Sequence, residues 1–76
     1  MDEKEFQTLL EEVLEVDAGS LGMDDDLVAL NWDSLAVLGF ISAVDARLDV
    51  TLDAARLAKA TTPRELRALV DDAVAG

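Results

Sequence analysis

The sequence predicts an all-α fold: a four-helix bundle with a long first loop and a short third helix. Hydrophobic residues make up 51% of the 76 residues, enough for a folded core. Leucine and alanine, both strong helix formers, are the commonest of these residues. They recur at helical spacing in separate segments, and no segment alternates convincingly as a strand does. We expect one domain spanning residues 1–76, with a mainly aliphatic core because aromatic residues are scarce.

The first helix is predicted to begin near Asp2 and to end near Asp17. Asp2 and Glu5 form a capping-box pattern, with Asp in place of the usual Ser or Thr. Gly19 and Ser20 interrupt the helical pattern after Asp17. The apolar stripe consists of Phe6, Leu9, Leu10, Val13 and Leu14. Three acidic residues lie off this stripe and are expected to face water: Glu11, Glu12 and Glu15.

A long connection, residues 18–32, follows the first helix. It contains too many apolar side chains for a free loop, so we expect it to lie across the bundle with Leu27 and Leu30 buried. It also contains the acidic run Asp24–Asp26, which raises the question of a calcium site. An EF-hand loop places acids at alternate positions, and Val28 stands where another ligand would be needed. We therefore expect no metal site.

The second helix is predicted to run from Ser34 to Leu48, with Asp33 as its N-cap. A rotation of about 100° per residue divides its side chains between two faces. The face expected in the core contains Val37, Phe40, Ile41, Val44 and Leu48. Toward the other side lie Ser34, Leu35, Leu38, Ser42, Asp45 and Asp49, with Gly39 and Ala46 adjoining Leu35. We predict that Leu35 and Leu38 are exposed on a contact face; the alternative is that neighbouring elements bury every apolar side chain.

Two further helices complete the bundle. A short third helix is predicted from Asp53 to Lys59, with Leu57 as its buried anchor. The fourth has the clearest start: Thr62 is the N-cap, Pro63 takes the first helical position, and Glu65 completes a capping box. Its apolar stripe consists of Leu66, Leu69, Val70, Ala73 and Val74.

The composition excludes most catalytic and metal chemistry. The chain has no cysteine and no histidine, which excludes disulfides, the usual zinc sites and triads that use His or Cys. Its four glycines are scattered and form no phosphate-binding loop. Ser34 has no evident base to activate it as a nucleophile. We expect that the protein is not an enzyme.

The net charge of −11 disfavours nucleic acids and anionic membranes as partners. Residues 1–38 contain 11 acidic residues and one basic residue, so a partner steered by charge should be basic where it meets this half. The alternative is that the acids only maintain solubility. No apolar run could span a membrane and no signal pattern is visible, so we expect a cytoplasmic protein.

Ser34 is the most informative single residue. It falls in the first turn of the second helix, where backbone N–H groups are unpaired and the helix dipole is positive, a favourable place for a phosphate ester. The alternative is an ordinary solvated serine at a helix start. The adjacent Leu35 and Leu38 would form an apolar docking patch beside the hydroxyl.

Asp33-Ser34-Leu35, at the head of the second of four helices in an acidic chain of this length, resembles the carrier-protein family of acyl and peptidyl carrier proteins. The resemblance covers essentially the whole chain. It includes Asp26-Leu27 in the long first loop, the short third helix, and the apolar pattern of the second helix.

The resemblance implies that Ser34 receives 4′-phosphopantetheine from coenzyme A through a Mg²⁺-dependent phosphopantetheinyl transferase. The thiol of the arm would then hold acyl or aminoacyl groups as thioesters and carry them between enzymes. Those partners would be a loading ligase or adenylation enzyme, an acyltransferase or a ketosynthase. Asp33 would help the transferase recognise the site. The residues expected to contact partner enzymes are Trp32, Leu35, Leu38, Gly39, Ser42 and Asp45. The short third helix and the end of the long loop, including Trp32, would flank the attachment site.

Two departures from primary fatty-acid carriers refine this expectation. Ala36, Gly39 and Ala46 stand where such carriers usually have acids, and only Asp45 is retained. Trp32 before the aspartate is unlike most fatty-acid carriers. In this respect the chain is more similar to peptidyl carriers or to specialised carriers of polyketide and nonribosomal-peptide pathways, such as those that make antibiotics. We expect a freestanding monomer. The alternative function is an acidic helical interaction module that is never modified.

Overall fold

The computed structural model describes residues 1–76 and contains four α-helices, with no β-strand. The helices are α1 (Glu3–Leu14), α2 (Ser34–Leu48), α3 (Ala54–Lys59) and α4 (Pro63–Ala75). The long loop after α1 contains one 3₁₀ turn, Leu27–Leu30, which was not predicted. The predicted all-α bundle with its short third helix is confirmed. No helix is both long enough and apolar enough to cross a bilayer.

α1 ends at Leu14, three residues before the predicted end. The cause is Glu15, which adopts the left-handed conformation with φ 58°. The Val16 N–H donates to the Glu11 carbonyl at 3.1 Å, and the Glu15 N–H donates to the Glu12 carbonyl at 3.3 Å. These two bonds form a Schellman motif, which usually has glycine at the left-handed position and so leaves no clear sequence signal here.

Glu11 is buried, which corrects the expectation that it faces water. Its carboxylate Oε2 accepts hydrogen bonds from the backbone N–H of Gly19 at 2.9 Å and of Leu21 at 3.1 Å. A buried carboxylate needs such donors to offset its lost hydration. Glu11 therefore anchors the start of the first loop to α1.

The two predicted capping boxes form only in part. Asp2 caps α1 by accepting from the Glu5 N–H at 2.7 Å, but the Glu5 side chain makes no return bond. Thr62 caps α4 by accepting from the Glu65 N–H at 3.3 Å. The Glu65 carboxylate then accepts from the Thr61 N–H at 2.7 Å, one residue before the N-cap that a capping box would use. Both predicted helix starts are confirmed.

The three aspartates of the first loop are used separately. Asp24 forms an exposed two-bond ion pair with Arg64, at 3.0 and 3.2 Å, and this pairing lowers the pKa of Asp24. The Asp25 carboxylate accepts from the Gly22 N–H at 2.8 Å. Asp26 caps the 3₁₀ turn. No group of three or more acidic side chains is placed to hold a metal ion.

The first loop is fastened across the bundle by apolar side chains. Leu27 is fully buried, as predicted, and its N–H donates to the Thr61 carbonyl at 2.9 Å. Leu30 is only half-buried. Leu21 is also buried in the core. The loop therefore belongs to the same core as the helices and brings Trp32 and Asp33 to the start of α2.

The core is mainly aliphatic, as predicted, and contains one pair of packed aromatic rings. Phe6 of α1 and Phe40 of α2 are both fully buried, and their rings meet edge to face with centroids 6.1 Å apart. Trp32 also meets Phe40 edge to face, with ring centroids 5.8 Å apart. α2 packs against α1 and α3, and α3 packs against α4. The end of the predicted α4 stripe departs from expectation, since Val74 is exposed.

Val44→Ala should lower the free energy of unfolding by about 1–3 kcal/mol, because Val44 is fully buried and truncation leaves a cavity. Leu38→Ala on the opposite face should change it by about 0.5 kcal/mol or less. Urea unfolding followed by circular dichroism measures both. A larger loss for Leu38→Ala would show that the two faces of α2 are assigned the wrong way round.

Candidate functional site

Asp33 and Ser34 form the start of α2 as predicted. Asp33 has extended backbone, and its carboxylate Oδ1 accepts from the Ala36 N–H at 2.9 Å. Ser34 is the first helical residue and is exposed. The local pattern of a capping aspartate followed by a good helix sequence explains why the helix begins here. The Ser34 hydroxyl thus lies at the surface, on the N-terminal rim of a 15-residue helix.

The backbone at this rim suits an anionic ester. The N–H groups of Ala36 and Val37 donate to Asp33, one to its carboxylate and the other to its carbonyl. Those of Ser34 and Leu35 donate to no protein acceptor. Unpaired N–H groups and the positive end of the helix dipole favour a phosphate group attached to the Ser34 Oγ. The residues present therefore fit a phosphate ester at this position.

The apolar side chains beside Ser34 face the solvent. Leu35 is 79% exposed and Leu38 is 59% exposed, whereas Val44 is fully buried and Ile41 is largely covered by the core. The predicted difference between the two faces of α2 is confirmed. Two exposed leucines one turn apart form an apolar patch next to the hydroxyl.

Two open grooves flank this patch. The first, of about 460 Å³, lies between the start of α2 and α3. The second, of about 510 Å³, lies between the end of α1 and α2. Leu38 lines both grooves. The first is also lined by Trp32, Asp33, Ser34, Val37, Ala54 and Ala58. The second is lined by Val13, Leu14, Glu15, Asn31, Asp33, Leu35, Ala36, Gly39 and Ser42.

Trp32 is half-buried and tied to the fold. Its indole Nε1–H donates to the Leu57 carbonyl of α3 at 2.8 Å. Its ring is in edge-to-face contact with Phe40, and the residue also lines the groove beside Ser34. The sequence placed Trp32 beside the site but did not predict its bond to α3. Trp32 therefore links the start of α2 to α3 as well as forming part of the surface.

The remaining predicted contact residues continue along the exposed face of α2. Gly39, Ser42 and Asp45 are all exposed, and the first two line the second groove. A Cβ added at Gly39 would meet the Val13 side chain at 3.8 Å, an ordinary contact. Packing within the chain therefore does not require glycine at this position.

Sequence reasoning placed the third helix beside the site but missed the two residues, Ala54 and Ala58, that form its wall of the first groove. Their spacing of four residues on a six-residue helix was a usable signal, because it places two small side chains on one side. It also missed Asn31, whose left-handed conformation (φ 64°) ends the 3₁₀ turn at the second groove.

Asp33→Ala should lower the free energy of unfolding by about 0.5–2 kcal/mol, because it removes the N-cap of α2. Asp33→Asn should be nearly neutral, since an asparagine side-chain oxygen caps equally well. Thermal or urea unfolding of both variants measures the difference. Equal stability of the two variants would contradict the capping role of the carboxylate.

Comparison with known proteins gives one finding. A family model described as the phosphopantetheine attachment site matches residues 4–70, from α1 into α4. No curated protein and no solved structure gives a match.

Proposed function

Because the chain belongs to the phosphopantetheine attachment-site family, whose members are non-catalytic carriers of a covalent 4′-phosphopantetheine group, we propose that Ser34 is the attachment residue of this protein. The observation that supports this most is the exposed hydroxyl at the N-terminus of α2, beside two unpaired N–H groups. The other two serines lack this setting. Ser20 donates to the Asp17 carbonyl in the first loop, and Ser42 lies in the middle of α2.

The proposed modification is a phosphoryl transfer from coenzyme A. The Ser34 Oγ forms a bond to the pantetheine-linked phosphorus, and the pyrophosphate bond breaks to release 3′,5′-ADP. The hydroxyl proton passes to the transferase, because this chain places no base at Ser34. When bound, the group supplies a thiol that holds acyl or aminoacyl groups as thioesters. This chain holds the phosphate end at the rim of α2 and leaves the patch of Leu35 and Leu38 open to partners.

Asp33 has two proposed roles at the site. Its carboxylate orients Ser34 by capping α2, and its negative charge marks the site for a phosphopantetheinyl transferase. The variants Asp33→Asn and Asp33→Ala separate these roles. Slower priming of the stable Asp33→Asn variant would indicate charge recognition, whereas slow priming of Asp33→Ala alone would indicate the cap.

Carrier domains of this family interact with the transferase and with biosynthetic enzymes. We propose that the enzymes that load and unload this carrier bind the exposed face of α2 mainly through apolar contacts. The two exposed large apolar side chains of that face are Leu35 and Leu38, and Asp45 is the one acidic residue within α2. Ser42, Gly39 and the exposed part of Trp32 complete the proposed contact set. This weakly charged face supports a carrier of a specialised polyketide or nonribosomal-peptide pathway rather than of primary fatty-acid synthesis.

We further propose that residues 1–76 act as one domain and as a monomer in the cytoplasm, where coenzyme A is available. One core cluster draws buried residues from all four helices and the first loop, which supports a single domain.

Priming in vitro tests the proposal. The protein is incubated with coenzyme A, Mg²⁺ and a promiscuous phosphopantetheinyl transferase, and its intact mass is measured. We expect a gain of one phosphopantetheine group. A folded protein that gains no mass with several such transferases would overturn the proposal and would favour the unmodified interaction module.

A further inference from the structure

α3 is the element whose position depends most on contacts with the rest of the fold. It has only six residues, and an isolated helix of that length is not stable in water. Leu57 fixes it to the core, since its side chain is fully buried. The other specific attachment near the site is the bond from the Trp32 indole to the Leu57 carbonyl. Leu57 and this hydrogen bond therefore hold α3 beside the site, and the buried Leu52 and Ala60 hold its two flanks.

The floor of the groove between α2 and α3 is filled. Val37, which lines the groove, is only 5% exposed, and Phe40 and Leu57, which Trp32 contacts, are fully buried. Trp32 lines the groove, its ring is in edge-to-face contact with Phe40, and its indole N–H donates to α3. An aliphatic chain attached at Ser34 could enter the core only if α3 moved outwards. That movement would break the hydrogen bond from the Trp32 indole to the Leu57 carbonyl and would separate packed aromatic and aliphatic side chains.

We propose that Trp32 is a clamp that keeps the α2–α3 seam closed, so that the group carried on Ser34 stays in the surface groove and is a short acyl or an aminoacyl group. This inference rests on the proposed attachment at Ser34. The groove is open to water along its length, which suits a cargo that is small or that has a polar end. A long aliphatic cargo would leave apolar surface exposed to solvent.

Two loaded forms test the clamp. A promiscuous transferase with acetyl-CoA or octanoyl-CoA attaches arms that differ only in acyl length, and intact mass verifies each product first. Absence of loading would count against the proposed attachment function, whereas only verified products bear on the clamp. Melting temperature and hydrogen exchange of the α3 amides are then compared between the two forms.

For the wild-type protein, we expect the acetyl and octanoyl forms to melt within about 1 °C of each other. An acyl group that has no binding site in the folded protein adds no stability. Exchange of the α3 amides should be the same in both. Acrylamide quenching of Trp32, the only tryptophan, should also be independent of acyl length. An octanoyl form that melts several degrees higher, with slower α3 exchange, would overturn the proposal.

Trp32→Phe is the matched variant, because it removes the indole N–H and keeps an aromatic ring against Phe40. Its octanoyl form should melt several degrees above its acetyl form, with α3 exchange slowed about tenfold or more as the chain enters the loosened seam. Trp32→Leu serves if the phenylalanine variant folds poorly. Variants that are folded yet respond to acyl length no more than the wild type would show that Trp32 is not the clamp.

Discussion

Ser34→Ala should fold as the wild type does and should gain no phosphopantetheine. The substitution removes an exposed hydroxyl that makes no hydrogen bond within the chain, so the free energy of unfolding should change by about 0.5 kcal/mol or less. The loss of modification should be complete, because no neighbouring hydroxyl combines exposure with the rim of α2. Intact mass after prolonged incubation with coenzyme A and a transferase measures this outcome.

Ser42→Ala is the matched control for that experiment. Ser42 is exposed on the same helix, about two turns further along, and lines the groove that contains Leu35. It should be primed to completion. Mass gain by Ser34→Ala would place the attachment elsewhere in the chain. Failure of Ser42→Ala to be primed would indicate that the helix face, rather than the hydroxyl itself, limits the reaction.

The start of α2 could be predicted to the residue because its signals are local. Asp33 accepts from an N–H only three positions ahead, and the alternation of core and surface positions repeats within the helix. The exposure of Leu35 and Leu38 followed from the same periodicity. The position of the candidate site could therefore be predicted from about a dozen consecutive residues.

The features that the sequence did not reveal depend on contacts between distant segments or on unusual backbone. Trp32 donates to a carbonyl 25 positions away. Glu11 is buried because two backbone N–H groups of the first loop donate hydrogen bonds to its carboxylate. Glu15 ends α1 in a conformation usually taken by glycine. The groove beside Ser34 arises from the meeting of α2 and α3, which helical periodicity alone does not specify.

Phe40→Ala should cost about 3–5 kcal/mol of unfolding free energy, the largest stability loss we expect on α2. Phe40 is fully buried and in edge-to-face contact with both Phe6 and Trp32, so its removal leaves a cavity where α1, α2 and the Trp32 segment meet. Small domains have total stabilities of about 5–15 kcal/mol, so a large part of this variant could be unfolded at 37 °C. Urea unfolding monitored by circular dichroism at low temperature measures the loss.

Leu35→Ala is the control, since it truncates a large apolar side chain that is 79% exposed on the same helix, and it should cost about 0.5 kcal/mol or less. A loss below about 1 kcal/mol for Phe40→Ala would show that Phe40 is not tightly packed in the core. The two variants also separate stability from partner contact. Phe40→Ala should reduce priming only in proportion to its unfolded fraction, because Ser34 and its cap are unchanged. Leu35→Ala should stay folded and lose affinity for partner enzymes, because it removes surface that only a partner would cover.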